Sequence, residues 1–160
     1  MGASVIPEAS TTWVELATST ASGSSVSFAS LAAYRNYKVS YFNLTSSLGS
    51  SMYVRFNNDS GNNYSWINIK DSGTISSSAL DNGIETHASV DSSGSSGIFT
   101  VSDANQVVKK IDYWAAKSGT NTDSDNGQAF WNNTAVINRI DLLVFSTTFS
   151  GGTIKVYGSN

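Results

Sequence analysis

From Trp13 to Tyr157 the chain is written in short stretches of alternating apolar and polar residues, each closed by Ser, Gly, Asn or Asp. This rhythm constrains the fold more than any other feature, because a period of two puts successive side chains on opposite sides of an extended strand. Met52, Val54 and Phe56 share one side, with Tyr53 and Arg55 on the other. Ile140, Leu142 and Val144 alternate around Asp141, while Ile154 and Val156 oppose Thr153, Lys155 and Tyr157. The pattern predicts strands at 12–17, 25–28, 37–44, 51–57, 64–70, 84–90, 97–102, 108–117, 128–131, 136–145 and 152–157. The only helical candidate is a turn at 29–34, too short to cover a sheet. A sheet without a helical layer must pack on a second sheet. The expected fold is therefore all-β, an antiparallel jelly-roll-like β-sandwich of about ten strands. It should occupy residues 11–160, behind a short N-terminal arm, 1–10, that holds the single proline, Pro7, and shows no alternation.

Composition narrows the function. The 160 residues fit one domain, with 39% hydrophobic and 11% aromatic residues, enough for a core. Charged residues reach only 13%, so Ser, Thr and Asn supply most of the polarity, as in turn-rich β proteins. The net charge is −3, and the basic residues are scattered except for Lys109-Lys110, which leaves no basic face for nucleic acid. There is no cysteine for disulfides, thiol chemistry or a Cys-based zinc site. No apolar run is long enough for a membrane-spanning helix, and residues 1–7 lack the basic-then-apolar pattern of a secretory signal. Nucleic acid and membrane are not expected partners, and no cofactor is called for.

Catalytic chemistry finds no foothold. His87 is the only histidine, and no Gly-x-Ser-x-Gly elbow accompanies it, so it reads as a residue on a sheet face. The glutamates are Glu8, Glu15 and Glu85, and no acid pair stands apart from the turn-forming aspartates. Asn121-Thr122-Asp123-Ser124-Asp125-Asn126-Gly127 has oxygens at alternate positions, as a calcium loop does. Its Gly falls one place late and Asn132 stands where the closing acid belongs, so an Asx-rich hairpin loop is the expectation. Trp13, Trp66, Trp114 and Trp131 are candidates either for the core or for a sugar-stacking platform. The expectation is a binding or structural protein with no catalytic and no metal-ligating residues.

Three stretches carry a resemblance: Tyr34-Arg35-Asn36-Tyr37-Lys38-Val39, the run Met52–Tyr64 containing Arg55-Phe56-Asn57-Asn58-Asp59-Ser60-Gly61, and the ending Phe149-Ser150-Gly151-Gly152-Thr153-Ile154-Lys155-Val156-Tyr157-Gly158. Together with Ile140–Phe145, they resemble tailed-bacteriophage virion β-sandwich proteins. The resemblance implies a structural role on a virus particle. Such sandwiches serve as head decoration or cement proteins, tail components and receptor-binding heads.

The first expectation is a capsid decoration protein on the virion surface, a homotrimer bound to the major capsid protein. Val5, Ile6 and Pro7 of the arm are its candidate partner-binding residues, since they have little to bury within their own domain. The alternative is a tail-fibre or spike head that binds host glycans through exposed Trp and Tyr. An enzyme such as a glycan depolymerase comes last.

Overall fold

The computed structural model describes residues 12–118 and 123–160, apart from the side chains of His87 and Ala88. The arm, with Val5, Ile6 and Pro7, lies outside the described residues.

Twelve strands and no helix are present among the described residues. They are β1 Val14–Thr20, β2 Ser25–Phe28, β3 Asn36–Ser46, β4 Ser50–Phe56, β5 Tyr64–Lys70, β6 Ile75–Asp81, β7 Ile84–Val90, β8 Ser95–Ser102, β9 Val108–Lys117, β10 Asp123–Asn132, β11 Ile140–Val144 and β12 Phe149–Ser159. All pair antiparallel. An eight-stranded sheet runs β1-β12-β3-β8-β9-β10-β5-β6, and a four-stranded sheet runs β2-β11-β4-β7.

The order β1-β12-β3-β8 facing β2-β11-β4-β7 is a jelly roll, two interlocked Greek keys in which the chain repeatedly crosses between sheets. Two hairpins are inserted into it, β5–β6 between β4 and β7 and β9–β10 between β8 and β11. Both join the same sheet, where β10 pairs with β5, so the insertions extend one layer to twice the width of the other.

The core lies where the alternation placed it. Met52, Val54, Phe56, Ile140, Leu142, Ile154 and Val156 are all fully buried. Beyond them, the inner face of the wide sheet is filled by rings laid across small residues. Tyr41 pairs with Gly97 and Tyr113 with Gly127. A Cβ on Gly97 would sit 2.4 Å from the Tyr41 hydroxyl, and one on Gly127 would sit 2.1 Å from the Tyr113 ring. The Tyr113 hydroxyl then donates to the Ile67 carbonyl at 3.2 Å, a strand beyond the one it lies across.

Three expectations need correction. Residues 75–81 form β6, an edge strand with Ser76 and Ser78 half-buried and Ile75 and Leu80 exposed, an inversion that conceals it from a hydrophobic pattern. The expected loop ending at Gly127 is strand from Asp123 onward, paired to both β9 and β5. Its extended backbone sends Asp123 and Asp125 to one face and Ser124 and Asn126 to the other, so these residues do not wrap around an ion as a loop would. Asp125 is buried and accepts from Asn68 Nδ2 at 3.2 Å. Finally, Asp141, expected opposite the core, is also buried, because Arg139 covers it at 2.8 Å and Ser27 donates to it at 2.5 Å.

Candidate functional site

The Asn57–Asn63 connection between β4 and β5 is a structural joint. The chain leaves β4 through Asn57 and Asn58, both left-handed at φ 54° and 57°, a conformation asparagine tolerates better than most residues. Asn57 clamps the segment before β11, accepting from the amides of Asn138 and Arg139 at 2.9 and 3.1 Å and donating to the Val136 carbonyl at 2.8 Å. Asp59 Oδ2 accepts from Trp131 Nε1 at 2.8 Å, Asn63 Nδ2 at 2.9 Å and Asn133 Nδ2 at 3.1 Å. Its Oδ1 accepts from the Gly61 amide at 2.9 Å. Burial pushes this carboxyl up, but the donors together outweigh that and hold it below its ordinary value of 3.8. Lys109 is buried beside this joint, donating to the Asn133 carbonyl with its ammonium 4.8 Å from the Trp131 ring centre.

Side chains free to meet another molecule lie on the outer faces of the two sheets. On the four-stranded sheet, Leu143 pairs with Tyr53 and Asp141 with Arg55. Tyr53 meets Phe145 edge-on at 5.0 Å, and the Arg55 guanidinium lies 5.7 Å from the same ring. Phe145 is 44% exposed. Glu85 accepts from Ser51 at 2.7 Å and from the Tyr53 hydroxyl at 3.4 Å. Burial, followed by the Glu85 carboxylate, pushes the Tyr53 phenol up to about 12.

The outer face of the eight-stranded sheet is ordered by register into rows. One row runs Lys155, Ser40, Ile98, Trp114, Asn126, Ile69, Ile75. The next runs Tyr157, Lys38, Thr100, Asp112, Gln128, Ile67, Ser77. The half nearest β1 is cationic and aromatic: the Lys38 ammonium lies between the Trp13 and Tyr157 rings at 4.6 and 4.8 Å, and Lys155 pairs with Glu15 at 2.9 Å. The half built by the insertions is apolar, with Ile67, Ile69, Ile98, Trp114 and Phe130 exposed.

Three shallow hollows cross this second half. The largest, about 530 Å³, lies between Ile67 and Ile69 on one side and Asp112 on the other, over Asn126, Gly127 and Gln128. One of about 250 Å³ adjoins it at Asp112 and is walled by Ile98 and Trp114. One of about 200 Å³ adjoins at Ile67 and Gln128 and reaches Phe130. Gln128 Nε2 donates to Asp112 Oδ1 at 3.0 Å, and Lys110 stands 3.3 Å from Asp112 Oδ2.

The structure thus separates the four tryptophans. Trp66 and Trp131 belong to the core, Trp13 is half-buried against Lys38, and Trp114 is 45% exposed. The His87 side chain lies outside the described residues; its backbone is in β7, paired with Met52. The alternation along β9 already puts Asp112 on the same face as Trp114, but sequence reasoning missed Asn126 and Gln128 as their companions, because only the pairing of β9 with β10 brings these across. No group of three or more His, Asp or Glu placed to hold a metal occurs among the described residues. No family model, curated protein or solved structure matches this chain.

Proposed function

We propose that the chain is a structural protein of a tailed-bacteriophage virion, a capsid decoration protein that stabilises the head by contact. The architecture supports this reading: a jelly roll whose two sheets present broad outer faces. The assignment to a virion rests on the resemblance of the Asn57–Asn63 joint and the C-terminal strand. The observation that carries attachment is the Tyr53–Arg55–Phe145 cluster, since Tyr, Arg and exposed aromatics are the side chains that anchor protein interfaces. The major capsid protein is the partner, and a trimer would repeat the same contact three times and raise its grip by avidity.

The experiment is co-sedimentation with capsids assembled without this protein. Arg55→Ala and Phe145→Ala should each weaken binding by about tenfold or more, with melting temperature nearly unchanged. Deleting residues 1–10 should weaken it further and leave a folded domain. If the full chain does not bind such capsids, the decoration reading fails. If it binds and both substitutions are silent, the attachment face is elsewhere.

A further inference from the structure

The outer face of β8, β9, β10, β5 and β6 is a second surface, on the opposite side of the sandwich from Phe145. We infer that its groove binds a neutral oligosaccharide, with Trp114 as the stacking platform and Asp112, Asn126 and Gln128 as the groups that hold sugar hydroxyls.

Trp114 cannot retreat into the fold. Its neighbours in sequence, Tyr113 and Ala115, already hold the inner positions of β9, so the pleat commits the indole to the outside. A pyranose has one largely apolar C–H face and a rim of hydroxyls, and it needs both kinds of surface side by side. The groove offers them: Trp114 and Ile98 at one end, Ile67 and Ile69 on the far wall, and amide and carboxylate groups between.

The polar groups are set for this work. The Gln128–Asp112 hydrogen bond fixes both side chains while leaving Gln128 its carbonyl oxygen and a second N–H. The exposed Asn126 side chain makes no hydrogen bond among the described residues, so its donors and acceptor face outward beside the indole.

Charge and shape select the ligand. Lys110 balances Asp112 at 3.3 Å, which removes the unpaired cation an acidic sugar would require. The linked hollows extend from β8 to β6, five strands and so about 19 Å, which suits a short chain of rings over a single one. A protein partner would be a poorer fit, because it would have to match or strand each of the amides lying between the apolar residues.

The test is titration of the full chain with maltohexaose, cellohexaose and mannohexaose, and with oligogalacturonate as the acidic control, followed by tryptophan fluorescence and calorimetry. At least one neutral hexaose should bind and perturb the fluorescence. Trp114→Ala should weaken that binding by roughly tenfold or more, and Gln128→Ala should weaken it to a smaller degree, each with the wild-type melting temperature. Capsid co-sedimentation should be unaffected by Trp114→Ala, which separates this site from the attachment face. The inference is overturned if no neutral hexaose binds, if only the acidic chain binds, or if Trp114→Ala binds as wild type does.

Discussion

The Trp131 indole donates to the Asp59 carboxylate at 2.8 Å, and this contact joins the two ends of the inserted architecture. Asp59 sits in the connection that carries the chain from the four-stranded sheet to β5, and Trp131 is the next-to-last residue of β10, the strand on which β5 pairs. The indole is fully buried and packs on Phe56 at 5.3 Å and Tyr64 at 6.2 Å. Asp59 thus satisfies a donor that would otherwise be stranded in the core.

Replacing Asp59 by Ala should cost about 3 kcal/mol, since the Trp131 N–H and two amides lose their acceptor. Acid should act in the same direction. The folded-state carboxyl lies below its ordinary 3.8, so its contribution is complete above that value and is lost as pH falls through the lower folded value. Melting temperature measured from pH 6 to pH 2 should fall most steeply in the last part of that range, and the slope should be shallower in Asp59→Asn.

Alkali should unfold the domain through its tyrosines. Burial first, and neighbouring charged groups second, push Tyr41 and Tyr113 far above 10.0, and burial does the same for Tyr64. A phenol raised in the folded state favours folding below its unfolded value of 10.0, and the advantage disappears as pH rises beyond it. Ultraviolet titration should show these three ionising together with loss of structure, in one steep step. Gradual ionisation of all seven tyrosines near pH 10, with the fold intact, would contradict the burial described.

Gly127→Ala should destabilise by about 1–3 kcal/mol or more, because the new methyl has no space beneath the Tyr113 ring and the Ile67 carbonyl. Tyr113→Ala should remove the part of that cost due to the ring and leave the part due to the Ile67 carbonyl. A double-mutant cycle by urea denaturation should therefore show strong coupling, and simple additivity would argue against the ring lying across the glycine.

Leu142→Ala, in the middle of β11 with β2 and β4 on either side, should lose about 2–5 kcal/mol. Thermal and urea unfolding of that variant should stay cooperative with a lowered midpoint. A loss under 1 kcal/mol would place Leu142 outside the core.

Much of this architecture is legible in the chain alone. The alternation at Met52–Phe56, Ile140–Val144 and Ile154–Val156 separates inside from outside, since a pleated strand has only two faces and one must avoid water. With no helical stretch to form a layer, sheet against sheet follows. Only the tertiary structure decided which strands are neighbours. Pairing between residues far apart, such as Trp114 with Asn126 and Asn126 with Ile69, leaves no mark in local periodicity. The same holds for β6, whose inward serines and outward Ile75 and Leu80 are tolerated because an edge strand has little core above it. Asp59 reads locally as a turn residue, and its acceptor role exists only once β10 brings Trp131 to it. Local pattern sets the side of the sheet each residue takes; the groove and the joint arise from contacts that cross the whole chain.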